Sequence, residues 1–300
     1  MYQPTSDDVK NTLEDAVSYL KENTKEAEIA FFGGSFTAIR REYMFELLDA
    51  TRPYINKFKG IRISTRPDYI DDNILSVLKE YNVTSIELGA QSLCDDVLVA
   101  NNRGHNSSDV LYASKLIKEY GFSLGLQMMT GLYMSSKEKD IYTAKKIVEI
   151  KPDTVRIYPT ITMKNTQLEK LYNSGDYVVQ TLSDAVSLCA ELLLMFEEND
   201  IRVIRLGLHH SESLIEDMIA GPYHPAFREL CESEILFNKL LLKLNGVNKD
   251  NEIEVLVSPG CVSKMIGNKK SNILRFYEMG YKIKVIQNNS VNDMDIVLKD

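Results

Sequence analysis

The run Ile29-Ala30-Phe31-Phe32-Gly33-Gly34-Ser35-Phe36 is apolar up to two glycines and a hydroxyl residue. That order predicts a buried strand that delivers bare backbone to one end of a sheet, where a ligand can approach without meeting a side chain. Working outward, similar strand-to-loop transitions recur at Ile61-Arg62-Ile63-Ser64-Thr65-Arg66-Pro67-Asp68, from Ser85 to Ser92, from Ser123 to Met129 and from Thr154 to Pro159. Polar groups placed repeatedly near the carboxyl ends of such strands predict one shared site.

Helical patterns with an apolar stripe separate these strands, at about Arg41 to Ala50, Asp71 to Tyr81, Ser108 to Tyr120 and Lys137 to Glu149. Parallel neighbours need crossover connections, so the alternation predicts α/β architecture, an incomplete barrel or an open sheet. A first helix, capped by Ser6 or Asp7, runs to about Glu22 before the first strand. After a loop or short-helix region from Thr160 to Tyr177 come a helix from about Ser183 to Glu198, with Ser183 and Asp184 as caps, and a sixth strand at Ile201 to Leu208. An apolar helix around Glu234 to Leu244 precedes the polar stretch Asn245 to Asn251, which reads as a linker between residues 1–248 and a small α/β appendage, residues 249–300. The appendage reads as strand Ile253 to Val257, helix Cys261 to Met265, helix Ser271 to Met279 and strand Tyr281 to Ile286.

At 300 residues, 44% apolar and 26% charged, the chain has the balance of a soluble protein with a sizeable core. A net charge of -8 and a pI near 5.2 argue against nucleic-acid binding by bulk electrostatics, while leaving room for a local basic surface. No long apolar stretch and no basic-then-apolar start is present, so no membrane partner is expected and the cytoplasm is the expected location. Cys94, Cys189, Cys231 and Cys261 are too dispersed for a local metal motif and too few for a disulfide framework, so they are expected to be reduced and structural, with no metal ligands in this chain.

Six motifs stand in order across residues 28 to 206: Phe32 to Thr37, Ile63 to Ile70, Ile86 to Leu93, Asn102-Arg103-Gly104-His105, Leu126 to Leu132 and Arg156 to Thr160. In that order they resemble the Elongator catalytic-subunit branch of the radical S-adenosylmethionine superfamily, particularly its smaller bacterial relatives. The resemblance implies a partial (β/α)6 TIM-like barrel. It also implies a Cys-x-x-x-Cys-x-x-Cys loop whose thiolates hold a [4Fe–4S] cluster, with S-adenosylmethionine on the fourth iron. Reductive cleavage then yields a 5′-deoxyadenosyl radical that takes hydrogen from the substrate. The implied substrate is tRNA or another nucleic-acid-associated molecule, and the implied partner a reductant protein. Neither the cysteine triplet nor the strand before it occurs in these residues, so the barrel is expected to lack its first strand. As given, the chain is expected not to start a radical reaction. A truncated enzyme is the leading expectation; the alternative is a noncatalytic RNA-binding or regulatory protein that retains the scaffold. No acetyltransferase domain is evident in these residues, so the resemblance does not by itself imply uridine carboxymethylation.

The resemblance places Gly33, Gly34 and Ser35 along the methionyl end of the cofactor, with Glu87 and Gln91 on ribose hydroxyls or the methionyl amine. Arg103 would pair with the methionyl carboxylate through a charge-assisted fork, or serve as a solvated loop charge or a helix-start ion pair. Gln127 and Arg156 stand in mainly apolar strands, where burial without partners is costly; they face adenosine or substrate, or form a structural polar network. Tyr158 stacks near a base or closes the sheet edge. His105 is a candidate for cofactor or substrate contact or for a loop hydrogen bond, Lys164 for substrate or anionic-ligand contact or a surface charge, and His209 and His210 for a substrate loop or packing. The tail, Val262 to Ile273, resembles a degenerate K-homology-like unit, in which a Gly-x-x-Gly loop clamps backbone phosphates. Here that loop is Gly267-Asn268-Lys269-Lys270, and Lys264, Lys269, Lys270, Arg275, Lys282 and Lys284 are expected to form a local basic face, with Lys269 and Lys270 as RNA candidates.

Overall fold

Apolar runs broken by turn residues become the strands of a parallel sheet in the computed structural model, which describes residues 3–249 and 251–299. Asp250, inside the expected linker, lies outside the described residues. The sheet contains β1 (Glu28–Phe31), β2 (Gly60–Thr65), β3 (Val83–Gln91), β4 (Ser123–Thr130) and β5 (Thr154–Pro159). Past the two-residue β6 (Thr162–Met163), it also takes in β7 (Arg202–Leu206). Their order is β1-β2-β3-β4-β5-β7, and the six strands curl into a half-barrel, which decides between the two architectures left open by periodicity. Ile29 pairs with Ile61, Ile63 with Ile86, and Ile86 with Leu124. These isoleucines and the leucine form one buried face, and strand geometry sends the intervening Arg62, Ser64 and Glu87 to the other.

The helices cover the apolar face. α1 (Ser6–Leu20) packs on α2 (Arg41–Thr51), while α3 (Asp72–Glu80), α5 (Ser107–Glu119) and α6 (Lys137–Ile150) pack on β3 or β4; α4 (Asp95–Ala100) is a short turn before α5. Thr5 caps α1 through a reciprocal pair with Asp8, one position before Ser6 and two before Asp7, the expected caps. The first helix also ends at Leu20 and tightens into a 3-10 stretch, Lys21–Glu26.

The chain divides into two compact units, one of residues 1–157 and 199–205, the other of residues 158–198 and 206–300. In the second, α7 (Gln167–Ser174) and α8 (Leu182–Glu197) occupy the region after β5, and Thr181 caps α8 instead of Ser183 or Asp184. α9 (Glu212–Asp217) leads to β8 (Met218–Ala220), which pairs antiparallel with β6. α10 (Phe227–Lys243) begins seven residues before the expected Glu234, because Phe227 is buried over Gly207, where a Cβ would stand 2.8 Å from the Phe227 Cβ. β9 (Glu252–Val257), α11 (Val262–Ile266), α12 (Ser271–Glu278) and β10 (Lys282–Gln287) follow in the expected order, joined by the unexpected β11 (Ile296–Leu298). β9 is central, parallel to β10 and antiparallel to β11. Leu236, Phe237 and Leu240 of α10 share a core with Val255, Val257, Met265 and Phe276.

Candidate functional site

Five neighbouring strands supply a polar ladder on the inner face of the half-barrel. Arg62 of β2 bonds Glu28 of β1 and, through Nη1, donates to Glu87 Oε1 at 2.9 Å. Arg156 of β5 grips the same carboxylate twice, Nε to Oε2 at 2.6 Å and Nη2 to Oε1 at 2.9 Å. Gln127 of β4 donates to Glu87 Oε2 at 2.9 Å and to Ser64 Oγ at 3.2 Å. Glu87 is 1% exposed, so its charge is tolerated only because both oxygens are occupied. Burial pulls the Arg62 pKa down, but its bonds to Glu28 and Glu87 more than offset this and raise it above the ordinary arginine value. Gly125 on β4 makes room: a Cβ there would lie 2.8 Å from Glu87 Cγ and 2.9 Å from Thr154 Oγ1. The Arg156 guanidinium also sits 5.1 Å from the centre of the exposed Phe32 ring, just before the glycine pair.

At the carboxyl ends of the strands the geometry opens. Gly33 and Gly34 take φ of +104° and +128°, which glycine adopts freely, and a Cβ at either would meet nothing within 4 Å. Gln91 ends β3 at a register irregularity with φ of 63°, a left-handed conformation that non-glycine residues hold where the surroundings enforce it. The Ala90 carbonyl accepts from Ser92 N–H at 2.7 Å and from His105 Nε2 at 3.1 Å. His105 is buried, and with its proton on Nε2 its Nδ1 is an acceptor without a partner. Two residues away, Arg103 donates Nη2 to the Met129 thioether of β4 at 3.2 Å, a weak acceptor, and its buried Nε has no partner among the described residues. Among the described residues no carboxylate pairs with Arg103, and burial holds its guanidinium pKa below the ordinary arginine value. Arg103, His105, Asn102 and Gly104 line a shallow depression of about 470 Å³. This arrangement suits a ligand carboxylate or another anion.

The structure therefore joins Glu87, Gln127 and Arg156 in one network, and ties the loop of Arg103 and His105 to the ends of β3 and β4. Ser35 follows the open glycines, half-buried. Tyr158 is half-buried on β5 and belongs to the second compact unit. Lys164 is held by backbone at the β6–β8 ladder, its Nζ donating to the Glu216 carbonyl at 2.5 Å. His210 Nδ1 lies 2.7 Å from the Tyr223 hydroxyl, and His209 is exposed beside it. Of the expected basic face, Lys264, Arg275 and Lys284 are paired with Glu232, Glu234 and Glu254, leaving Lys269, Lys270 and Lys282. Among the described residues no cluster of histidine, cysteine and carboxylate side chains could hold a metal.

Glu28, Arg62 and Ser64 join the ladder without belonging to any of the expected site residues, although polar residues at every second position of otherwise apolar strands mark them in the sequence. Asp140 is a further unexpected polar residue, buried near the start of α6, where it accepts from Gly131 N–H at 2.9 Å and Ser135 Oγ–H at 2.6 Å. Burial pushes the Asp140 carboxyl up to about 6. No local sequence pattern marks it, since an aspartate in the first turn of a helix is usually exposed.

Comparison with known proteins bears on this geometry. The model of the Radical SAM superfamily matches residues 2–146, and that of the Radical SAM C-terminal domain matches residues 152–236. The chain is 31% identical over 198 residues to human Elongator complex protein 3, covering 59% of this chain and 36% of that one. It is 34% identical over 136 residues to the tRNA uridine(34) acetyltransferase of Dehalococcoides mccartyi, covering 44% of this chain and 30% of that one. Among solved structures it resembles an archaeal Elp3 from Methanocaldococcus infernus with an N-terminal deletion, with a TM-score of 0.67 and 22% identity over 82% of this chain and 62% of that one. The chain thus spans about a third of the length of these curated relatives.

Proposed function

Because the chain belongs to the radical S-adenosylmethionine superfamily, in its Elongator-like branch, we propose that its half-barrel binds S-adenosylmethionine at the carboxyl ends of the strands and serves the modification of a tRNA nucleotide. In complete members of the superfamily, S-adenosylmethionine and a [4Fe–4S] cluster together supply hydrogen-atom abstraction from a substrate. The observation that carries the reading is Arg103, a partly buried guanidinium whose Nε is orphaned and which no carboxylate pairs among the described residues. It fits the methionyl carboxylate, with Gln91 and the open Gly33-Gly34 backbone available to the amine and ribose. The Glu28–Arg62–Glu87–Arg156 ladder, neutral in sum, holds the floor beneath them and fixes the Phe32 ring. The name of the Dehalococcoides relative supports tRNA uridine as the substrate class.

The cluster is a different matter. Cys189, Cys231 and Cys261 are fully buried in the second unit, burial pushes the Cys231 thiol far above the ordinary value, and Cys94 stands apart in the first unit with its pKa also raised by burial. Cluster ligands are thiolates, so these residues do not fit the group, and no step is routed through it. A second reading, a barrel that binds RNA without radical chemistry, rests on this misfit. Iron analysis after anaerobic reconstitution distinguishes them: this stretch alone is expected to retain no stoichiometric iron, and a cysteine-bearing extension is expected to restore it under the first reading only. The central test is calorimetric binding of S-adenosylmethionine to wild type and Arg103→Gln. The variant is expected to lose about tenfold or more in affinity, as for a charge-assisted bond, while the ligand-free Tm stays level or rises because an unpaired buried charge has gone. Unchanged affinity sinks the assignment.

A further inference from the structure

A cavity of about 270 Å³ in the second unit is bordered by the start of α10 and the loop between α11 and α12. Pockets that bury whole drug-sized ligands run to roughly 300–1,000 Å³, so this one suits a single group of a larger ligand. Its lining includes His224, Glu229, Ser263, Lys264 and Lys269.

The loop is held in place. A Cβ at Gly267 would stand 2.5 Å from Ser271 Oγ and 2.8 Å from Asn272 N. The buried Asn272 amide donates to the Ser233 carbonyl at 3.1 Å and the Ser233 hydroxyl at 3.0 Å, stapling the loop to α10. Lys269 and Lys270 both take left-handed φ, 52° and 63°, a strained choice for consecutive non-glycine residues.

The lining chemistry is mixed. Lys264 is neutralised by Glu232 at 2.8 Å. Lys269 and Glu229 have no hydrogen-bond or ionic partner among the described residues. His224 Nδ1 accepts Ala226 N–H at 3.1 Å, which puts the ring proton on Nε2 and makes that nitrogen a donor. The cavity thus offers an ammonium, an imidazole N–H and a serine hydroxyl as donors, and one free carboxylate as acceptor. A bare anion would use only the donors and be repelled by Glu229, whereas a ribose phosphate carries both a phosphate for the donors and a 2′-hydroxyl for the carboxylate.

We infer that this cavity holds one ribose-phosphate unit of an RNA strand. The inference rests on the RNA half of the proposed function and is separate from its cofactor half, so Lys269→Gln and Arg103→Gln test the two independently. The experiment is fluorescence anisotropy of the full chain with a labelled single-stranded RNA and with DNA of the same sequence at low salt, with inorganic phosphate as competitor. Wild type is expected to prefer RNA, Lys269→Gln to weaken RNA binding about fivefold or more, and Glu229→Gln to bring RNA down to the affinity for DNA. Lys269 is exposed, so its variant keeps the wild-type Tm and isolates the contact. Equal wild-type affinity for RNA and DNA, or unchanged RNA binding in Lys269→Gln, overturns the inference. Displacement of RNA by millimolar phosphate, without preference for RNA over DNA, overturns it too and assigns the cavity to a free phosphate.

Discussion

Glu87 accepts from two guanidiniums and an amide at once, and Glu87→Gln tests what that convergence contributes. Glutamine offers one acceptor oxygen and turns an NH2 toward donors, leaving two mostly buried arginines short of charge. A loss of about 3 kcal/mol is expected, read as a lower denaturant midpoint at unchanged slope. Asp140 makes the opposite kind of prediction. Its folded pKa, raised to about 6, lies above that of an unfolded aspartate, so the native state holds the proton more tightly. Its contribution to stability is full below pH about 4 and lost as pH rises through about 6, a swing on the order of 3 kcal/mol. Asp140→Asn keeps an acceptor for Gly131 N–H and is expected to flatten that part of the stability-versus-pH curve in urea titrations. Residue identities made Gln127 and Arg156 legible as polar groups in apolar strands, with ligand contact or mutual network as the options. Only the neighbouring strands could show that Glu87, Arg62 and these two residues satisfy one another, because the partners are separated by up to 69 positions in the chain.

At the scale of elements, the bare Gly125 of β4 makes room between the Glu87 side chain of β3 and the Thr154 hydroxyl of β5. Gly125→Ala pushes a Cβ into Glu87 Cγ and Thr154 Oγ1, and is expected to cost about 1–3 kcal/mol, seen as a lowered Tm, with Glu87→Gln in the same chain giving less than the sum. The long apolar strands and amphipathic helices of the half-barrel were legible because each repeats its period several times. The caps, Thr5 and Thr181, stand one to three positions before the expected residues, since Thr, Ser and Asp lie close together at both starts and the geometry chooses among them. β6, β8 and β11 carry two or three residues each, too few to show a period, and their pairing comes from residues far along the chain.

For the molecule as a whole, a charge of -8 means that any RNA affinity comes from local contacts. With Lys269 as the cationic contact to the one phosphate held in the cavity, log affinity against log salt is expected to slope at about -0.7 and to become nearly flat in Lys269→Gln. A slope several times steeper would point to a broader basic surface than the ion pairs of Lys264, Arg275 and Lys284 leave available. The polar ladder carries a further consequence, for synthesis. Glu28, Arg62 and Glu87 emerge from the ribosome well before Arg156, which supplies two of the bonds to the central carboxylate. Until that arginine appears, the nascent sheet holds a half-neutralised acid at its heart, so the first four strands wait for the fifth, and a pause in translation before it would prolong the interval in which they are open to chaperones or to mispairing.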